Sequence, residues 1–112
     1  MPPAPLPLVE ILFFNGCPNH EAARLMVERV TGDLGLECDV RLVNVPDNEA
    51  AQRLHFLGSP TILVNGDDIE PGAGARRQYG LACRVYRTAT GTSAQPDPAW
   101  LHAALMQAAG NA

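Results

Sequence analysis

Short unbroken apolar runs alternate along this chain with stretches whose apolar residues return every three or four positions. The first run, Leu8-Val9-Glu10-Ile11-Leu12-Phe13-Phe14, predicts a strand buried on both faces at the centre of a sheet. Asn15-Gly16 breaks it, Pro18 suits a first helical position, and Ala23, Met26, Val27, Val30 and Leu34 then share one helical face. This spacing predicts a helix with Cys17 at its N-cap and Gly32 or Gly35 as its stop. Val40-Arg41-Leu42-Val43-Asn44-Val45 follows as a β-branched strand, and strand, helix, strand in that order implies a parallel pair.

Pro46-Asp47 opens a second, short helix with Ala50, Ala51 and Leu54 on its apolar stripe and Gly58 as its stop. Thr61-Ile62-Leu63-Val64 is a third strand, and Asn65-Gly66 behind it is a hairpin signal, so an antiparallel partner should follow. Two placements of that fourth strand are open. Either Asp67-Asp68-Ile69-Glu70 turns straight back, or a long loop intervenes and residues 83–87 pair with the third strand. The second is preferred, because two adjacent aspartates are poor strand material. Asp97-Pro98 starts a last helix with Leu101, Ala104, Leu105 and Ala108 on one stripe. The expectation is an α/β chain with a central mixed four-stranded sheet (βαβαββα) and helices on both faces. It reads as one domain over 1–112, with a proline-rich lead-in at 1–7 and an irregular or inserted segment at 71–95.

Composition narrows the function classes. With 112 residues, 46% hydrophobic and 18% charged, there is room for one core and one site, and no apolar run long enough for a membrane span. A net charge of −4 offers no general attraction to nucleic acid or to an anionic membrane, so neither is expected as a partner. The N-terminus lacks the features of a secretory signal, and three cysteines without framework spacing suggest thiols kept reduced. A cytoplasmic address is expected. All eight basic residues are arginine, and Arg76, Arg77, Arg84 and Arg87 form the one local basic patch.

Cys17 is the leading candidate for chemistry. A thiolate is the nucleophile and the soft-metal ligand, and free amides at a helix N-terminus favour the anion by roughly 0.3–2 kcal/mol. His20, three residues on, would favour it further if protonated, while Glu21 opposes it. No cysteine stands at position 20, so any resolving thiol must come from elsewhere. Cys38 begins the second strand, at the sheet end opposite Cys17, and reads as structural. Cys83 depends on the fourth strand: it can approach Cys17 if Asp67–Glu70 is that strand. It starts on the order of 15 Å away if residues 83–87 are. A disulfide needs Cα atoms within about 7 Å.

Asn15-Gly16-Cys17-Pro18-Asn19-His20 resembles the Cys-x-x-Cys turn of the thioredoxin superfamily with its second cysteine replaced by His20. Gly58-Ser59-Pro60-Thr61 resembles the same family's cis-proline loop ahead of the third core strand. More narrowly, Cys-Pro-Asn-His, Gly-Ser-Pro-Thr-Ile and Gly80-Leu81-Ala82-Cys83-Arg84-Val85-Tyr86 are similar to small bacterial thioredoxin-like proteins sometimes labelled alkylmercury lyase. The resemblance implies a cis Pro60 facing Cys17, with the Ser59 backbone free to pair with an extended peptide or glutathione. Ser59, Pro60 and Thr61 would then bind substrate, with Arg84 and its neighbouring arginines holding a carboxylate or phosphate. The function expected is thiol-dependent redox exchange through Cys17, tuned by His20 and with Cys83 as a possible second thiol; whether it is an enzyme is left open. Partners would be protein or small-molecule thiols and disulfides, glutathione among them, and no cofactor is called for. Two other classes stay open: a binder of mercury, copper or zinc through Cys17, His20 and Cys83, and an interaction module whose site has lost catalysis.

Overall fold

The computed structural model describes residues 6–110, so most of the proline-rich lead-in and the last two residues lie outside the described residues. Strand β1 (Leu8–Phe13) leads into helix α1 (His20–Leu34), strand β2 (Asp39–Asn44) and helix α2 (Asn48–Arg53). Strands β3 (Thr61–Val64) and β4 (Asp67–Asp68), a 3-10 turn at Ala73–Ala75, strands β5 (Tyr86–Thr88) and β6 (Gly91–Ser93), and helix α3 (Pro98–Gly110) complete the order. The main sheet runs β2-β1-β3-β4, with β1 and β2 parallel and β3 antiparallel to both β1 and β4.

The unbroken apolar run of β1 puts it inside the sheet, because both of its faces are covered. Val9 and Ile11 enter a core with Ala23, Met26, Val27 and Val30 of α1 and Leu101 and Leu105 of α3. Leu12 points the other way, into a core with Val45, Ala50, Ala51 and Phe56 at α2. Helices thus lie on both faces, as expected, and each fully buried Val, Leu or Ile side chain contributes about 1.5–3 kcal/mol. The stop of α1 and the start of α2 follow the sequence, whereas α2 ends at Arg53, short of the expected stop at Gly58, because His55 takes the left-handed conformation at φ 55° and the Phe56 amide closes onto the Ala51 carbonyl at 2.9 Å. Gly35, at φ 62°, ends α1, where the Gly35 and Leu36 amides donate to the Gly32 and Thr31 carbonyls. The Asp47 carboxylate caps α2 by accepting from the Ala50 amide at 2.8 Å.

The fourth strand differs from the placement preferred above. Asn65 and Gly66 adopt φ 51° and 88°, the positive pair that a tight hairpin needs, and the chain turns straight back so that Leu63 faces Asp68 and Val64 faces Asp67. The poor strand propensity of Asp-Asp is overridden by tertiary context, since the Asp68 carboxylate is paired with Arg84 across the fold. Residues 83–87 do not join the main sheet as a strand. Tyr86–Thr88 instead pairs with Gly91–Ser93 in a separate two-stranded ribbon, and Cys83 makes only an isolated parallel bridge to Ser59.

Candidate functional site

After β1 the chain makes a tight turn in which the Cys17 amide donates to the Phe14 carbonyl at 3.0 Å. Pro18 and Asn19 continue the turn, and α1 begins at His20 with Asn19 as its N-cap. Cys17 therefore lies two residues ahead of the cap rather than on it, which corrects the sequence expectation and weakens the pull of the helix amides on its sulfur, a pull confined to the terminal turn. The His20 ring goes to the backbone: its Nδ1 donates to the Cys17 carbonyl at 3.0 Å, and the ring stacks on Phe13 at 4.3 Å. Since a carbonyl only accepts, Nδ1 carries the proton. Gln95, in the loop before α3, holds the same turn from outside by donating from Nε2 to the Asn19 carbonyl at 2.8 Å.

The Cys17 sulfur is not open. The residue is 2% exposed, and its thiol donates to the Ser59 carbonyl at 3.7 Å. The Ser59–Pro60 peptide is cis. Both main-chain groups of Ser59 are occupied by the chain itself: its amide donates to the Ala82 carbonyl at 2.8 Å, and its carbonyl accepts from the Arg84 amide at 2.9 Å. The backbone that was expected to stand free for a peptide or glutathione is thus paired internally. Gly58 permits this close approach. A Cβ there would sit 3.0 Å from the Ala82 oxygen and from the Arg84 Cβ, and its φ of 126° disfavours any side chain.

Pairing Ser59 with Cys83 brings the second thiol to the first. Cys83 is exposed, and its thiol is pushed above the ordinary value by negative charge on Cys17, then by desolvation, then by a hydrogen bond to Cys17. All three cysteines are free. Cys38 lies just before Asp39, which pairs with Leu8 at the end of the sheet away from Phe13 and the Cys17 turn. It packs against the larger core, and burial pushes its thiol up.

Arg84 and Thr61, expected to touch substrate, are turned inward. Arg84 is 2% exposed; its guanidinium donates to Asp68 at 2.8 and 3.2 Å, to Glu70 at 2.7 Å and to Thr61 Oγ1 at 2.9 Å, and lies 4.5 Å over the Tyr86 ring. Burial works against its charge, yet the carboxylates outweigh burial and its pKa is raised. Thr61 donates onward to the Gly58 carbonyl at 2.6 Å, and the buried Tyr86 hydroxyl donates to the Pro60 carbonyl. Desolvation pushes the Tyr86 phenol well up. Asp68, Glu70 and Gly58, which shape this corner, were missed as site residues. The one sequence signal for the two acids was their place directly after the Asn-Gly turn.

A thioredoxin from Methanocaldococcus jannaschii is 32% identical over 60 residues, which span 53% of this chain and 71% of that protein. The chain belongs to the thioredoxin-like superfamily. No family model matches it, and no solved structure matches it. Within this thioredoxin-like chain no helix among the described residues is long and apolar enough to cross a membrane. Among the same residues no three His, Cys, Asp or Glu side chains form a group suited to a metal ion.

Proposed function

We propose that this protein carries out thiol–disulfide exchange in the cytoplasm through Cys17 and Cys83 acting as one redox pair. The observation that carries this is their common contact with Ser59: Cys17 donates to its carbonyl, and Cys83 bridges to its backbone. His20 stands where the resemblance puts a second cysteine, and Cys83 supplies the missing thiol from the 71–95 segment, within a single domain. In the exchange, the pair gives up two electrons and two protons to a disulfide RSSR. Two RSH leave and the Cys17–Cys83 bond forms; an external thiol reverses the step. Pro60 and His20 act through backbone, shaping the Ser59 loop and holding the Cys17 turn.

Treating the reduced protein with an equimolar small disulfide such as oxidised glutathione should remove two hydrogen masses and two of its three titratable thiols. Peptide mapping should then join Cys17 to Cys83 and leave Cys38 alkylatable. A protein that keeps three thiols, or that pairs Cys38, overturns the reading and leaves the degenerate interaction module in its place.

The same two sulfurs favour a second reading, since a pair of thiolates suits a two-coordinate soft cation. Native mass spectrometry with one equivalent of Hg(II) tests it: retention in the parent protein and loss in both Cys17→Ser and Cys83→Ser is the expected pattern.

A further inference from the structure

We infer that the segment Tyr79–Arg84 is a built-in occupant of the strand position beside Ser59, so that substrates of the site are small disulfides, which react first at Cys83 and are resolved by Cys17. This rests on the reading of Cys17 and Cys83 as one redox pair and adds which molecules reach it and in what order.

The segment is stitched down along its length. Gln52 Nε2 donates to the Tyr79 carbonyl at 3.2 Å, the Gly80 amide to the Phe56 carbonyl at 3.1 Å, and the Leu81 amide to Asn48 Oδ1 at 3.4 Å. Ala82 and Arg84 then take both main-chain groups of Ser59. An extended polypeptide docks on such an edge through those same two groups. To reach them it would have to break both bonds and draw the Arg84 guanidinium away from Asp68 and Glu70, whose side chains are 13% and 15% exposed. Gly58 adds to the closure, because its missing side chain lets the segment lie within van der Waals range of the loop. A small molecule meets a different surface. Cys83, in the segment itself, is exposed, whereas Cys17, on the other side of their common contact Ser59, is 2% exposed.

Accessibility therefore orders the steps. The Cys83 thiolate attacks RSSR, forming Cys83–S–SR and expelling RS−, which takes up the proton released by Cys83. The Cys17 thiolate then attacks the Cys83 sulfur, forming the internal disulfide and expelling the second RS−, protonated in turn by the proton from Cys17. The substrate gains two electrons and the pair loses two.

The test uses the whole chain and traps the first adduct. With bis(2-hydroxyethyl) disulfide, Cys17→Ser should accumulate a mixed disulfide mapped to Cys83, and Cys83→Ser should form an adduct on Cys17 at least tenfold more slowly. In parallel, the parent protein should reduce the small disulfide but leave insulin disulfides essentially intact, and the double variant Asp68→Asn, Glu70→Gln, which frees the Arg84 anchor, should raise insulin reduction at least tenfold. Hydrogen exchange supplies a readout that needs no substitution: the Ser59 and Arg84 amides should be protected in the parent protein. An adduct forming on Cys17 of Cys83→Ser as fast as on Cys83 of Cys17→Ser overturns the order of attack. Insulin reduction by the parent protein at the small-disulfide rate, or rapid exchange at Ser59 and Arg84, overturns the occupied edge. If the parent protein forms no Cys17–Cys83 bond with the small disulfide, the redox pair itself is overturned instead.

Discussion

Replacing Arg84 with Met is the sharpest perturbation of the corner that presents Cys83. The change removes a guanidinium whose side chain is 1% exposed and strands Asp68 and Glu70, at 13% and 15%, without their main partner. Breaking a buried ion pair by deleting one member costs about 3–5 kcal/mol. Two considerations move the figure in opposite directions. The acids are close enough to the surface for water to reach them, and Glu70 keeps Arg76 at 2.9 Å, which favour the low end. The lost cation–π contact with Tyr86 adds back about 1–2 kcal/mol, which Met packing offsets in part. The net expectation is about 3 kcal/mol. A domain of this size holds about 5–15 kcal/mol, so the variant should still fold. At about 4 °C per kcal/mol, its melting temperature should fall by about 12 °C. Urea denaturation should show a lower midpoint with an unchanged slope. Adding Asp68→Asn and Glu70→Gln to Arg84→Met should recover a large part of the loss, because no uncompensated carboxylate remains. A loss below about 1 kcal/mol for Arg84→Met, or no recovery in the triple variant, would refute the view that desolvated charge holds this corner.

Iodoacetamide labelling of Cys83 should have a pH midpoint above that of a free thiol measured alongside. The sign follows from its largest cause: an anion at Cys17 stabilises the protonated form of its neighbour, so Cys17→Ser should move the midpoint down, and an unchanged midpoint would mean the two sulfurs do not interact. His20→Ala should cost about 1–2 kcal/mol through the lost hydrogen bond and Phe13 stacking. Its effect on Cys17–Cys83 disulfide formation should stay within a few-fold, and a loss of two orders of magnitude would show that the imidazole acts on sulfur directly.

The order of β1, α1, β2, α2, β3 and α3 was legible because periodicity and breakers agreed, whereas the β5–β6 ribbon lay hidden in the segment expected to be irregular. The β1 run, the α1 stripe of Ala23, Met26, Val27 and Val30, and the stops at Gly35 and Asn65-Gly66 all appear where the pattern put them. What escaped was long-range compensation. Asp67-Asp68 reads as a poor strand until Arg84 is known to fold onto it, and Arg84 reads as a surface binder until Asp68 and Glu70 are known to surround it. Each half of that ion pair disguised the other. The same hidden contact decided the fate of Cys83, since the tight return of β4 leaves the chain free to cross back over Ser59. The burial of Cys17 was invisible for the same reason, because Ser59, whose carbonyl its thiol meets, lies 42 positions away in sequence.

Gly58 has a consequence for the history of the chain. A residue with no carbon beyond its backbone is needed there on two counts, the φ of 126° and the pressure of Ala82 and Arg84 against it. A descendant that acquired a methyl group at position 58 would have both to reshape the loop and to lift the covering strap off. Loss of glycine at 58 is thus expected to bring with it loss of the strap and of the cysteine at 83 that it carries, so that one letter would mark a cleft laid open.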